Sequence, residues 1–491
     1  MSQPRLKRGL EPNSGTPLSV TPFTDCDANE SLCMARDVSD LTPIVSRDQL
    51  VAWIEDGAKP AEQFRIGTEH EKFPFYKADH APVPYAGRAD QGGIRALLEG
   101  LRKRLGWTAI DDEGNIIGLY DESRGAAISL EPGGQFELSG GPLASVHETA
   151  AEIEAHFAAL MPVAEPLGIG FLALGMAPQW RREDVPLMPK QRYAIMRTYM
   201  PKVGTRGLDM MLRTCTVQTN FDFSSEADMV QKLRVALALQ PLVTALFANS
   251  PFTDGKPNGF LSARSDIWLH TDPDRTGILP FAFEPGMGFE RYVDYALDVP
   301  MYFVKRGETY HDVAGASFRD LLKGKLPQLP GERATLSDWA NHLTTIFPEV
   351  RLKRYLEMRG ADVGPRPFLY ALPAFTVGLL YDRASLDGAW QIVKGWSAEQ
   401  RAALRVEVPR LALEAKIAGR SLRAIAREVL ALVRQGLINR ARKDPQGRDE
   451  SHFLDPLDAI VAGQTQAEAL LSKYEREWKR SVEPAFRECA F

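Results

Sequence analysis

Four segments of this chain carry polar residues at every second position, where a strand packed beneath helices should be apolar. Successive side chains of a strand point to opposite faces, so residues two apart share a side. Phe64–Phe73 puts Glu69 and Glu71 on one side. Ser129–Ser139 is broken by Pro132-Gly133-Gly134, which predicts a bulge or tight turn. Glu131 precedes that break, and Gln135 and Glu137 share a face after it. Thr214–Phe223 alternates cleanly. Thr214, Thr216, Gln218, Asn220 and Asp222 form one face, and Cys215, Val217, Thr219, Phe221 and Phe223 form the other. Arg354–Asp362 brings Glu357 and Arg359 to one side.

The helical signals lie elsewhere. Ser46 is an N-cap for a short helix through Leu50, Trp53 and Ile54. Beyond about 385 the chain reads as helical. Ser397 and Gln400 form a capping-box pattern, and Leu422, Ile425, Val429 and Leu432 make one stripe that Gly436 is expected to stop. Residues 1–45, rich in Pro, Ser, Thr and Asp, read as a flexible tail. The expected organisation is a tail at 1–45, a catalytic body at 46–384 and a helical region at 385–491 packed on it.

Each polar strand has an ordinary explanation. Glu69 and Glu71 could face water on an edge strand, or hold a cation between them, because adjacent carboxylates repel otherwise. Mg²⁺, a hard ion preferring oxygen ligands, suits that second reading. Glu131 and Glu137 fit a surface hairpin as well as a site. Glu357 and Arg359 fit a surface ion pair, or a metal–phosphate site in which the acid holds the cation and the guanidinium the phosphoryl oxygens. Together, four polar-faced strands require a shared polar cavity, since unpaired buried charge is costly. Glu69, Glu71, Glu131, Glu137 and Glu357 would then form a multi-metal carboxylate site suited to ATP chemistry.

Loops offer the counter-charges. Arg264 and Arg275 can each grip a carboxylate or fix a loop by an ion pair. Arg192, Tyr193, Arg197, Tyr199 and Lys202 can line an anion pocket or face solvent from a helix. There is no GxxxxGK[ST] P-loop and no strand-linked GxGxxG, so any ATP site has another architecture.

Composition narrows the class. The 491 residues exceed one simple core. A net charge of −5 argues against a nucleic-acid partner. No apolar run reaches the ~18–20 residues that span a bilayer, which argues against a membrane protein. The four cysteines, Cys26, Cys33, Cys215 and Cys489, form no CxxC pair and suit a reducing compartment. The N-terminus has no hydrophobic signal core, and Arg5, Lys7 and Arg8 are followed by Asp25, Asp27 and Glu30, unlike a transit peptide. A cytoplasmic location is therefore expected.

The strings Phe64–Phe73, Ser129–Ser139, Leu208–Gln218, Ala248–Phe252, Asp298–Tyr302 and Phe347–Arg359 resemble the glutamate–cysteine ligases of the plant and α-proteobacterial type. The resemblance runs from about 45 to the C-terminus. It implies an α+β, glutamine-synthetase-like fold: a curved, mainly antiparallel sheet forming a funnel, flanked by helices, with acids on its inner face. It implies Mg²⁺ held by Glu69, Glu71, Glu131, Glu137 and Glu357. Related ligases often carry His where Gln218 stands, so Gln218 is expected as a hydrogen-bonding residue. The resemblance further implies Arg359 and Arg264 as catalytic residues, with Arg264, Arg213, Gln218, Asn220 and Tyr302 around substrate. L-glutamate, L-cysteine and ATP are the implied partners, in a monomer or homodimer. A sister ligase with another amine acceptor, or a non-catalytic binder of glutamate or nucleotide on the same scaffold, would share most of this pattern.

Overall fold

The computed structural model describes residues 40–491, which fall within the compact unit Cys33–Phe491. Nine strands build its main sheet: β1 (Ile66–Tyr76), β2 (Thr108–Asp112), β3 (Asn115–Tyr120), β4 (Ala127–Leu130), β5 (Phe136–Ser139), β6 (Ile169–Leu172), β7 (Thr216–Phe221), β8 (Val350–Leu352) and β9 (Leu356–Asp362). The order is β8-β9-β7-β1-β5-β4-β3-β2, and β6 also pairs with β1. All pairings in it are antiparallel.

The helices used below are α1 (Arg47–Glu55), α2 (Ile94–Leu105), α3 (Val146–Ala164), α4 (Gln191–Val203), α5 (Gly207–Arg213), α6 (Glu226–Leu246), α7 (Ala263–Leu269), α8 (Arg366–Leu380), α9 (Arg383–Val393), α10 (Ala398–Leu411) and α11 (Leu422–Arg440). Helices α3, α6 and α8 cover one sheet face. Both α6 and α8 are buried nearly all round, which is the signature of a helix enclosed between sheet and further helices.

The Pro132-Gly133-Gly134 break is a tight turn that closes the β4–β5 hairpin. Glu131 N–H donates to Gln135 O and Gly134 N–H to Glu131 O, each at 2.9 Å. Gly134 takes a φ of +86°, which glycine adopts without steric cost.

One helix end differs from expectation. α11 runs through Gly436 to Arg440. A Cβ on Gly436 would stand 1.8 Å from the carbonyl oxygen of Gly378 in α8. The glycine is therefore a close-approach residue between two helices. The buried stripe of α11 includes Leu422, Ile425, Val429 and Val433, with Leu432 only partly buried.

At the N-terminal side, Ile44 is buried and its N–H donates to Ala334 O at 2.9 Å, so the chain is already tied down before Ser46. The expected tail otherwise lies outside the described residues, as do Cys26 and Cys33. Among the described residues no helix is long and apolar enough to cross a membrane.

Candidate active site

The uncovered face of the sheet is polar because strand register aligns the acids. Across β1 and β5, Glu71 stands directly opposite Glu137 and Glu69 opposite Ser139. Across β1 and β7, Glu69 faces Gln218. Across β8 and β9, Arg351 faces Glu357. All of these positions except Glu357 border a cavity of about 150 Å³, as does Glu131 at the hairpin turn. Glu69, Glu71, Glu131, Glu137, Gln218, Arg264 and Arg359 all line it.

The turn carrying Glu131 is anchored from below. Gln135 Nε2 donates to the carbonyls of Met211 (3.1 Å) and Thr214 (2.9 Å), and Gly133 N–H donates to the Gln135 amide oxygen at 2.9 Å. Lys190 reaches the same hairpin, its ammonium donating to Leu130 O at 2.8 Å.

The carboxylates are strained electrostatically. Burial pushes Glu69 up to about 8, reinforced by Glu357 and Glu137. Burial and then Glu131 raise Glu71, although Thr216 N–H donates to it at 3.0 Å. Glu137 is raised by burial and by Glu131, and it accepts a hydrogen bond from Ser129. Glu131 is raised chiefly by burial. Such a set wants a cation. Among the described residues no three or more His, Cys, Asp or Glu side chains are gathered closely enough to hold a metal ion by themselves. That donor set fits Mg²⁺, which commonly takes one or two carboxylates and completes its shell with water and substrate oxygens.

Glu357 departs from expectation. It is wholly buried and does not border the cavity. Arg351 grips both its oxygens, at 2.9 and 2.8 Å, Arg359 pairs with it, and Lys353 stands 3.5 Å away. Burial opposes its charge, yet Arg351, Arg359 and Lys353 hold it well below the usual carboxylate range. Its lone pairs serve three cations, and a metal would have to compete with them. Arg359 also donates to the Gln218 amide oxygen at 2.7 Å, so Gln218 orients a guanidinium. Asn220 sits beside the cavity and donates to Glu69 at 2.8 Å, positioning that acid.

Arg264 is built from a different part of the chain. Ser262 caps α7 by accepting from Ser265 N–H, and Arg264 N–H donates to the Ser250 hydroxyl at 3.2 Å. Buried Asp362, at the end of β9, accepts from Asn249 N–H and from the hydroxyls of Ser250 and Ser262. The Asn249–Ser250 loop and the Ser262 cap are thus fixed by one carboxylate. The Arg264 side chain is buried, with one nitrogen bonded to Arg359 O at 3.0 Å. Its Nε and Nη1 have no partner in the protein.

Arg213 and Tyr302 are not part of this cavity. Arg213 is buried against Asp209 (2.7 Å) and Asp254 (2.6 Å) and donates to Trp180 O, which spends its fork on structure. Tyr302 is buried under the Arg275 guanidinium, 3.9 Å from the ring centroid. Arg275 itself pairs with Asp272 at 2.6 Å and donates to the carbonyls of Thr345 and Pro300, so it fixes a loop. Of the basic segment, Arg192 and Tyr193 reach the cavity, whereas Arg197 and Lys202 face solvent. Cys215 is fully buried on the far sheet face, its thiol pushed up by burial, as a small core residue should be.

Lys190, Arg351 and Lys353 border the cavity and were not marked by strand alternation. Lys190 stands just before α4, and the other two lie on and beside a three-residue strand too short to show a period. Met196, Met210, Met211, Trp268, Phe303 and Phe347 supply apolar wall that sequence alone does not separate from core. A wider cleft of about 510 Å³, bordered by Tyr120, Ile117, Tyr310 and Asp112 among others, shares Lys190 and Arg192 with this cavity.

A mostly antiparallel sheet with helices on one face and clustered acids on the other defines a protein of the α+β class. A 2.0 Å crystal structure of the Francisella tularensis glutamate–cysteine ligase in complex with AMP has this fold, with a TM-score of 0.54 at 12% identity over 88% of this chain and 89% of that one. The chain belongs to glutamate–cysteine ligase family 2 (GCS2), whose family model matches residues 65–488. It is 54% identical over 452 residues to glutamate–cysteine ligase B, chloroplastic, of Oryza sativa subsp. japonica, covering 92% of this chain and 88% of that protein. It is 54% identical over 451 residues to the chloroplastic glutamate–cysteine ligase of Arabidopsis thaliana, covering 92% and 84%.

Those relatives overturn the expected cytoplasmic location, since they are named chloroplastic. The reason is physical: unpaired cysteines report a reducing environment, not which compartment supplies it.

Proposed function

We infer that this chain joins the γ-carboxylate of L-glutamate to the amine of L-cysteine, driven by ATP, the first step of glutathione synthesis. The observation that carries the reading is Arg264: a buried guanidinium with two unpartnered nitrogens, lining the same cavity as Glu69, Glu71, Glu131 and Glu137. A group of that geometry requires an anion, and a carboxylate or phosphoryl group matches its fork.

A free carboxylate is a poor electrophile. Transfer of the γ-phosphoryl group of ATP to the glutamate γ-carboxylate releases ADP and forms an acyl phosphate. The cysteine nitrogen then attacks the carbonyl carbon, loses a proton, and phosphate leaves. Arg264 and Arg359 stabilise the phosphoryl oxygens and orient glutamate, with Gln218 fixing Arg359. Glu69, Glu71, Glu131 and Glu137 are the residues suited to hold Mg²⁺, which when bound screens phosphate charge and polarises the transferring group. The wider cleft suits the base and ribose, with Lys190 and Arg192 where it meets the acidic cavity.

The catalytic body is assigned to 46–384 and the helical region to 385–491. All residues of the acidic cavity fall between Glu69 and Arg359. The helical region contributes Arg405 beside Arg264 and Arg359, where it bonds to Glu349 at 2.7 Å.

The test is phosphate release with ATP, Mg²⁺, glutamate and a panel of amines. Release that requires both glutamate and cysteine, with γ-glutamylcysteine as product, is expected. Turnover without cysteine dependence, or none at all, would sink the reading.

A further inference from the structure

Sheet order lays the site out along one line. The wider cleft lies over β2 and β3, through Thr108, Asp112, Ile117 and Tyr120. Glu71 and Glu137 stand on β1 and β5, in the middle of the sheet. Lys353 follows β8, at the opposite edge. With the nucleotide in the wider cleft and Mg²⁺ on the central acids, the amino acids take the β8–β9 end.

Lys353 sits in the turn of the β8–β9 hairpin. Leu352 pairs with Leu356, and Lys353 N–H donates to Tyr355 O at 2.8 Å. The residue is buried and borders the acidic cavity together with Arg351. Three cations, Arg351, Arg359 and Lys353, stand around one carboxylate, Glu357. Arg351 grips Glu357 and also donates to the carbonyls of Thr344 and Ile346. Arg359 is held by Glu357 and Gln218. Lys353 stands 3.5 Å from Glu357, beyond the about 2.7–2.9 Å of a charge-assisted hydrogen bond. Glu69, the other acid that acts on Lys353, is committed to Mg²⁺ in the reading above. Buried cations that outnumber their carboxylate call for an anion beside them.

The reaction brings such an anion. Its two amino acids carry three carboxylates: the γ-carboxylate that reacts, the α-carboxylate of glutamate and the carboxylate of cysteine. Arg264 and Arg359 orient glutamate, which leaves the carboxylate of the acceptor to be held. We propose, resting on the ligase reading, that Lys353 binds the carboxylate of the acceptor amino acid and so selects amino acids over simple amines. A point charge on a flexible stem suits a carboxylate whose position is already fixed by the attacking nitrogen beside it.

The test compares L-cysteine with cysteamine, which lacks only the carboxylate, as kcat/KM for product formation with ATP, Mg²⁺ and glutamate. The wild type should prefer cysteine by at least about tenfold, because a site built around a charged group rejects the analogue without it. Lys353→Met should remove most of that preference, and Lys353→Arg should keep it. The ratio is taken within one variant, so general damage to the fold or to the Glu357 cluster cancels. Lys353→Gln, which keeps a donor toward Glu357, should lose the preference too and serves if Lys353→Met does not fold. The KM for glutamate should stay within about twofold in either variant. A preference unchanged in Lys353→Met or Lys353→Gln overturns the proposal. So does a rise in the KM for glutamate in place of that for cysteine, which would move Lys353 to the donor. A wild type that uses neither acceptor sinks the ligase reading, whereas one that uses both alike sinks this proposal alone.

Discussion

Glu71 and Glu137 are direct partners across the β1–β5 pair, two carboxylates facing each other on adjacent strands. Like charges in such a pair are destabilising, and burial deepens the penalty. A protein keeps this arrangement where a ligand relieves it.

The pH dependence of stability follows from Glu69. Its folded-state value, about 8, lies above the ordinary 4.5, so the fold favours the neutral acid. The stability it contributes is complete below about 4.5 and is lost as pH rises through about 8. The ion-free protein should therefore melt at a lower temperature at pH 8 than at pH 6. Mg²⁺, which favours the ionised acids, should raise the melting temperature more at pH 8. Differential scanning fluorimetry at both pH values checks this, and an equal Mg²⁺ effect at both would count against ion binding by these acids.

Arg264→Lys should raise the KM for glutamate or lower kcat by about a hundredfold in total, because a point charge does not replace a fork. Arg213→Lys should leave the KM for glutamate within about twofold, since its partners are Asp209 and Asp254. Steady-state kinetics of the two variants separates a cavity arginine from a structural one.

Glu357→Gln removes the shared partner of Arg351, Arg359 and Lys353. Removing one member of a buried ion cluster typically costs about 3–5 kcal/mol. The expected result is a loss of that order in denaturant unfolding, accompanied by loss of activity. Unchanged stability with lost activity would instead favour a direct role on metal.

Gly436→Ala places a methyl group against the Gly378 carbonyl. Forcing α8 and α11 apart should lower stability by about 1–3 kcal/mol or more. Thermal unfolding measures it, and an unaffected midpoint would mean that the helices part without cost.

Much of the site was legible because strand period is rigid. The alternation at Glu69 and Glu71, at Gln135 and Glu137, and from Thr216 to Asn220 named the polar face before any coordinates. The resemblance supplied the fold and the chemistry, and the family match agrees with it. The resemblance implied Arg213 and Tyr302 around substrate, and the structure places them outside the acidic cavity, on Asp209 and under Arg275.

What the sequence determined by itself was which residues share a strand face, because that depends only on backbone geometry between neighbours. The tertiary structure decided which faces meet, and so which charges cancel. Glu357 was set among three cations by the β8–β9 pairing, Arg264 was left with two unpartnered nitrogens beside a loop held on Asp362, and Gly436 was placed against Gly378 by helix packing. Those outcomes depend on contacts between distant segments, and no local period encodes them.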